Sequence, residues 1–169
     1  MNAISVIIGN ICSLLAMVTD SISSTRKTAK GVLHVQNISQ LIYCIGTILL
    51  KGYSGAAQNV VSILRNFAAI RKIESKLVQW ILVLLGVVLG IAFNNLGWVG
   101  YLPIIANLQY TLAVFKYKDN GHALKISFAI CVGLFIVFNV AILNFVGACS
   151  NLVVLCTTLV MLFKKKETN

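Results

Sequence analysis

The chain is made almost entirely of apolar stretches long enough to cross a lipid bilayer as helices. A spanning helix needs about 20 mostly apolar residues, and about 17 is the lower limit. The seven segments that qualify are 3–19, 31–50, 54–70, 77–95, 97–116, 125–143 and 147–163. Because the 169 residues include a single proline, these stretches are free to stay helical. We therefore predict an all-α, polytopic membrane protein with seven transmembrane helices.

Composition argues against a soluble domain and against nucleic acid as a partner. Only 11% of the residues are charged, whereas a soluble domain carries about 25%. The net charge of +10 would suggest nucleic-acid binding in a soluble protein. Here the lysines and arginines lie in short loops, where they fix the orientation of a membrane protein. We expect the lipid bilayer as a partner and no nucleic acid.

Basic residues occur in every second loop and at the C-terminus. They are Arg26, Lys27, Lys30, Arg71, Lys72, Lys76, Lys116, Lys118, Lys125, Lys164, Lys165 and Lys166. The loops in between carry only Lys51. The positive-inside rule then places the N-terminus outside and the C-terminus in the cytoplasm. Six helices would break this alternation, so the charges support seven.

Two parts of the chain repeat in the same direction. Residues 6–18 match 103–115, with two isoleucines, an asparagine, a leucine and an alanine at the same places, and residues 55–59 match 147–151. The offset is 97 residues between Asn10 and Asn107 and 92 between Asn59 and Asn151. A parallel repeat in an apolar chain is typical of membrane proteins built from two halves, which usually bind a solute between them.

The repeat and the helix count together predict a three-plus-one-plus-three architecture. A first three-helix bundle covers 1–72, a linker helix covers 73–96, and a second bundle with a basic cytoplasmic tail covers 97–169. The linker helix has no counterpart in the repeat. Its single crossing lets the two bundles share one orientation.

Asn59 and Asn151 are the leading candidates for contact with a solute. Asn59 lies on one helix face with Ser62 and Asn66, and Asn151 is its repeat partner. Polar side chains inside a bilayer are costly, and they face the bundle interior or a cavity. The two amides would face each other and match sugar hydroxyls or similar polar groups. The alternative is that they hydrogen-bond neighbouring helices.

Further polar and aromatic side chains are candidates for the same path. Gln40 and Tyr43 belong to a polar stripe of the second predicted helix, and the repeat partner of Tyr43 is Phe135. The alternative for Tyr43 is a core aromatic whose hydroxyl bonds another helix. The other candidates for substrate contact are Gln58, Asn139, Ser62, Asn10 and Asn107. Hydrogen bonding between helices is the alternative for Ser62, Asn10 and Asn107.

Two residues are candidates for parts of the protein that move during transport. Pro103 lies one turn before Asn107, and a proline at mid-membrane removes a backbone hydrogen bond and can act as a hinge. The alternative is that Pro103 lies in the first turn of its helix, where it costs nothing. Arg65 is the only charge well inside a predicted helix, about 9 Å from the inner end at about 1.5 Å per residue. It can extend to the lipid headgroups, form an inner gate together with Asn66, or bind an anionic ligand.

The predicted interior lacks the groups that catalysis or ion coupling would use. The four acids, Asp20, Glu74, Asp119 and Glu167, are placed at loops or boundaries, so facilitated diffusion is the expected mode of transport. Neither a nucleophile–base pair, a zinc motif nor a phosphate loop is present. The five cysteines lie in apolar segments and form no C-x-x-C pair. We expect no enzyme activity, no metal and no cofactor.

Two stretches of the sequence resemble a known family. Residues 51–66, KGYSGAAQNVVSILRN, and residues 102–107, LPIIAN, are similar to the YgjV-type bacterial inner-membrane proteins, over most of the chain. That family is distantly similar to the PQ-loop proteins, which include the SWEET and SemiSWEET sugar carriers and the PnuC-type vitamin-precursor carriers. The resemblance implies two three-helix bundles around a central solute path.

The same resemblance implies roles for individual residues. Asn59 and Asn151 would touch the substrate, and Tyr43 with Phe135 or Phe138 would add aromatic contacts. The chain departs from the PQ-loop pattern because it lacks the Pro-Gln dipeptide and has the proline in one half only. The fold therefore carries over more safely than the substrate.

These observations support two functions of different classes. The first is a uniporter-like carrier of a small, polar, largely uncharged metabolite, such as a sugar or a vitamin precursor, working by alternating access. The second is a non-transporting receptor or assembly protein of the inner membrane. An enzyme acting on lipid is disfavoured because the interior lacks acids and nucleophiles. A homo-oligomer is left open, since seven helices can enclose a path without one.

Overall fold

A computed structural model describes residues 2–24, 29–73, 75–117 and 121–164 of the chain. Within these residues the regular structure is helical, with no strand. The α-helices are α1 (Ala3–Ser24), α2 (Ala29–Leu49), α3 (Tyr53–Ile70), α4 (Lys76–Ala92), α5 (Leu102–Lys116), α6 (Gly121–Ala141) and α7 (Phe145–Lys164). The all-α prediction is confirmed. Charged residues that lie outside the described residues are Arg26, Lys27, Glu74, Lys118, Asp119, Lys165, Lys166 and Glu167.

Two predicted helix boundaries are corrected by the structure. The helix α1 continues to Ser24, beyond the predicted end at residue 19, so Asp20 lies inside a helix rather than at a boundary. The predicted fifth helix, 97–116, consists of a 3-10 helix, Gly97–Tyr101, followed by α5. Gly97 has a φ of 57°, a left-handed conformation that glycine adopts without strain. Gly97 is the first residue of the 3-10 helix, and residues 93–96 separate this helix from the end of α4.

Six of the helices pack side by side in a closed ring. Along the chain, α1 contacts α2, α2 contacts α3, α5 contacts α6, and α6 contacts α7. The ring is completed where α3 meets α5 and where α7 returns to α1. The remaining helix, α4, packs against α3 and α5.

The α2–α3 turn and the α6–α7 turn have the same backbone geometry. Lys51 in the first and Leu143 in the second adopt the left-handed conformation, with φ of 58° and 60°. In each turn the next backbone N–H donates to the carbonyl oxygen five residues earlier, over 2.8 Å. This is the hydrogen bond that ends many α-helices at a left-handed residue. The two turns are 92 residues apart, the offset of the repeat between Asn59 and Asn151.

One end of the ring, formed by these two turns, is filled with apolar side chains, and we call it the closed end. Phe138 of α6, which is 1% exposed, packs with Leu50 and Ile142. Its ring lies against α3 so tightly that a Cβ added to Gly55 would lie 2.6 Å from Phe138 Cε1. The side chain of Phe138 therefore reaches across the ring and closes this end.

Close approach of two backbones holds α1 against α2. A Cβ added to Gly46 of α2 would lie 2.9 Å from Cys12 Cβ and 3.1 Å from the backbone oxygen of Gly9. A Cβ added to Gly9 would lie 2.5 Å from Leu50 Cγ. Small residues at such places let membrane helices pack with backbones in contact.

The surface of the molecule is apolar and its interior contains polar side chains. Leu77, Trp98 and Phe163 are each at least 70% exposed, together with many other large hydrophobic side chains. Polar side chains such as Ser39 and Asn144 are at most 2% exposed. A soluble protein shows the opposite distribution. The arrangement is the one expected when lipid surrounds the helices.

Length and hydropathy identify fewer spans than the seven that the sequence predicts. Among the described residues, one stretch, Ala3–Asp20 of α1, is long and apolar enough to cross a membrane by this measure. Shorter apolar stretches are Lys76–Ala92, Ile126–Ala141 and Phe145–Val160. The count of seven spans and the orientation of the termini stay predictions.

Candidate functional site

A cavity of about 710 Å³ lies inside the ring. Side chains from all six ring helices line it, whereas α4 contributes none of the lining residues. Pockets that bind small molecules have volumes of about 300–1,000 Å³. The cavity is therefore large enough for a metabolite of modest size.

The two leading candidates from the sequence both line this cavity. Asn59 comes from α3 and Asn151 from α7. Among the described residues, neither side-chain amide makes a hydrogen bond to another side chain or to the backbone. Of the two alternatives for this pair, the structure places both amides at the cavity rather than in bonds between helices.

Most of the other predicted residues also border the cavity. They are Gln40, Tyr43, Ser62, Arg65, Asn107, Phe135 and Asn139. Asn139 is buried, and its Oδ1 accepts a hydrogen bond of 3.1 Å from Asn144 Nδ2. The amide of Asn107 is partly used within the protein, because its Nδ2 donates to Gln58 Oε1 over 2.9 Å.

Two predicted residues lie away from the cavity and connect helices. Gln58 is 2% exposed, and its Nε2 donates to the Gly86 carbonyl over 2.8 Å, which ties α3 to α4. Asn10 Nδ2 donates to the Leu143 carbonyl over 2.9 Å, and Asn10 Oδ1 accepts from the backbone N–H of Val146 over 3.0 Å. For Asn10 these contacts are the alternative given above, whereas Gln58, expected to contact the substrate, is not among the residues that line the cavity.

Asn66 and Pro103 also lie outside the residues that line the cavity. Asn66 is 5% exposed and is buried in the packing of α3. Pro103 is in the first turn of α5, directly after the 3-10 helix. The first N–H groups of a helix have no intrahelical partner, so proline removes no hydrogen bond there. The expectation of a mid-helix kink at Pro103 is wrong.

Several lining residues were not among the sequence predictions. Asp20 of α1 lines the cavity, and Ser39 Oγ donates a hydrogen bond to its Oδ1. The expectation that every acid lies at a loop or boundary is wrong for Asp20, because apolar periodicity does not show where α1 ends. Tyr110, three residues after Asn107, lines the cavity as well. Its position on the same helix face as Asn107 was the signal that could have identified it.

Aromatic rings form part of the cavity wall. The rings of Tyr110 on α5 and Phe128 on α6 lie 5.5 Å apart between centroids and are tilted by 51°. Tyr43, Phe135 and Phe138 are further aromatic residues of the lining. Such surfaces bind the apolar faces of ligands, while the amides of the cavity provide donors and acceptors.

In the part of the chain that the structure describes, no three histidine, cysteine, aspartate or glutamate side chains cluster as a metal site would require. The cavity therefore offers amides, hydroxyls, one arginine, one aspartate and aromatic faces. These groups can bind and orient a solute.

Comparisons with known proteins place the chain in a family. Neither curated proteins nor solved structures gave a match. The family model named Imp-YgjV, with the description bacterial inner membrane protein, matches residues 7–169. Because this match covers nearly the whole chain, the protein belongs to the Imp-YgjV family of bacterial inner membrane proteins.

Proposed function

We propose that the protein is a membrane carrier that binds a small polar metabolite in the cavity of its ring and moves it by alternating access. The observation that carries this proposal is the cavity itself, lined from six helices and containing the side chains of Asn59 and Asn151. A packed assembly protein has no need of such a space. In the proposed carrier the substrate contacts both amides.

Symmetry of position around the cavity supports two related halves. Six pairs of residues that are 92 apart in sequence both line it. The pairs are Gln40 with Val132, Tyr43 with Phe135, Thr47 with Asn139, Gly55 with Gly147, Asn59 with Asn151 and Ser62 with Val154. The matching turns at Lys51 and Leu143 agree with the same offset. These observations favour the three-plus-one-plus-three arrangement, with α4 as the linker.

The contacts between the halves suggest how access could alternate. In the described part of the chain, the ring helices of the two halves pack side by side along α3–α5 and α1–α7, and Phe138 joins the halves at the closed end. Two bundles joined along two lines can rock against each other around a central site. The closed end, which the charge pattern places outside, would open in one state and close in the other.

Asp20 changes one argument about energy coupling. The sequence favoured facilitated diffusion because no acid was expected in the interior, yet the Asp20 side chain lines the cavity. Carboxylates inside membrane proteins often carry protons. Transport measurements should therefore include a pH gradient as one condition.

The proposal is tested by solute uptake into liposomes that contain the purified protein. A panel of labelled sugars, nucleosides, vitamins and amino acids is offered first to wild type. We expect one class to enter faster than in empty liposomes, and the Asn59→Ala, Asn151→Ala double variant to lose that flux. Thr157→Ala serves as the matched control, because Thr157 is exposed on α7 and bonds only carbonyls of its own helix.

Two results would contradict the proposal, the first for the carrier itself and the second for the role of the two amides. One is the absence of flux for every class when the protein is folded and correctly inserted, which would favour the receptor or assembly role. The other is normal flux in the double variant, which would show that the two amides do not contact the solute. Size-exclusion elution and the melting temperature of each variant show whether it is folded.

A further inference from the structure

The two sides of the cavity differ in chemistry although they are related in position. The α2–α3 side presents hydroxyl, amide and guanidinium groups from Tyr43, Thr47, Asn59, Ser62 and Arg65. The facing α6 side presents mostly aromatic and aliphatic groups from Phe128, Val132, Phe135 and Phe138. A ligand that satisfies both sides has one polar edge and one apolar face.

Arg65 is the one lysine or arginine among the lining residues. In the described part of the chain its guanidinium donates no hydrogen bond and has no carboxylate within ion-pair distance. The carboxylate of Asp20 in the same cavity accepts a hydrogen bond from Ser39 instead. The positive charge of Arg65 is therefore available to a molecule inside the cavity.

Placing a cation there is costly unless an anion compensates for its lost hydration. A guanidinium offers five N–H donors in a planar fork, which matches the two oxygens of a carboxylate or phosphate. Arg65 is partly buried and faces the interior of the ring, which makes such a contact stronger than it would be at the surface.

We infer that the solute carries an oxyanion group, a carboxylate or a phosphate, bound by Arg65, and a flat apolar body packed against the aromatic side of the cavity. This inference rests on the proposed function, since it takes the cavity as the solute site. It replaces the largely uncharged metabolite that the sequence suggested with an anionic one.

The test compares acids with a neutral molecule of the same shape. Purified protein in nanodiscs of phosphatidylcholine is titrated with benzoate, phenyl phosphate and benzamide at constant ionic strength, and the melting temperature is recorded. A ligand of the folded state raises the melting temperature by mass action. We expect at least one acid to bind about tenfold or more tightly than benzamide, since hydrogen bonds to charged groups are the stronger ones.

Variants of Arg65 connect the preference to the guanidinium. Arg65→Gln should remove the preference for acids and leave benzamide binding unchanged, while Arg65→Lys should retain part of it. Without ligand, Arg65→Gln should melt at the same temperature as wild type or higher, because an uncompensated charge is lost. If Arg65→Gln does not fold, the comparison of acids with benzamide in wild type and in Arg65→Lys decides the question.

Several outcomes would overturn the inference. These are equal binding of acids and benzamide, a preference for acids that survives Arg65→Gln, and no shift with any acid in wild type. A rise in melting temperature that appears only when phosphatidylglycerol replaces part of the phosphatidylcholine would show that Arg65 binds a lipid headgroup rather than a solute.

The experiments distinguish a failure of the carrier proposal from a failure of the anion inference. Uptake of a neutral solute without any effect of Arg65→Gln would retain the carrier and remove the anion. Arg65-dependent binding of acids without uptake would retain the anion site and remove the carrier.

Discussion

The asparagine side chains in these helices differ in what their amides contact. Asn10 bonds backbone groups of the α6–α7 turn, while Asn59 and Asn151 face the cavity. The sequence pairs Asn10 with Asn107 and Asn59 with Asn151, yet Asn107 differs from Asn10 because it lines the cavity and donates to Gln58. Helical periodicity shows only that such residues face inward. Whether an amide meets a backbone group or a cavity depends on how neighbouring helices pack.

The two kinds of asparagine should respond differently to substitution. Asn10→Ala leaves the N–H of Val146 without its acceptor, so we expect a loss of about 1–2 kcal/mol in the free energy of unfolding and unchanged solute affinity. Asn151→Ala should weaken solute binding and leave stability nearly unchanged. Denaturation in detergent and ligand titration measure the two quantities. A stability loss confined to Asn151→Ala would reverse the assignment.

At the scale of helices, hydropathy located the elements and packing determined their ends. The predicted segment 77–95 corresponds to α4, Lys76–Ala92, and 147–163 corresponds to α7. Hydropathy did not indicate that α1 extends to Ser24, nor that a 3-10 helix precedes α5. Both depend on the neighbours of those residues. For this reason Asn59, Asn151 and Tyr43 were predictable as cavity residues, whereas Asp20 was assigned to a boundary.

The close contact between α1 and α2 predicts that replacing a glycine there lowers stability. Gly46→Ala adds a Cβ that would collide with Cys12, and we expect a loss of stability of about 1–3 kcal/mol from overpacking. The matched control is Gly133→Ala in α6, where nothing lies within 4 Å of an added Cβ. That change should raise the free energy of unfolding by about 0.4–1 kcal/mol, because alanine reduces the conformational entropy of the unfolded chain. Equal effects of the two substitutions in thermal denaturation would contradict the close approach of α1 and α2.

At the scale of the whole molecule, the closed end would be the barrier to solute passage in the carrier that we propose. Phe138 reaches across the ring to α3 and is almost fully buried. A site in a carrier must be reachable from one side at a time, so one end is closed while the other gives access. Removing the ring of Phe138 should therefore weaken this barrier.

Phe138→Ala should cost about 3–5 kcal/mol of stability, as expected for loss of a buried aromatic ring, and should expose the cavity. The exposure is measured in a variant that retains Cys131, a cavity residue, as its only cysteine. A membrane-impermeant maleimide added outside should label Cys131 faster in Phe138→Ala than in the parent. Phe163→Ala, at a position 71% exposed on the surface, is the control. Unchanged labelling would show that the barrier lies elsewhere.

Closure of the ring through α1 and α7 also bears on how the protein is made. The side chain of Asn10 meets its partners Leu143 and Val146 only after more than 130 further residues have been added to the chain. Because α1 is synthesised first, the amide of Asn10 lacks these two partners until the start of α7 has been made. The cavity is therefore complete only when α7 is present, and a chain truncated before Phe145 would leave the proposed solute site open to lipid.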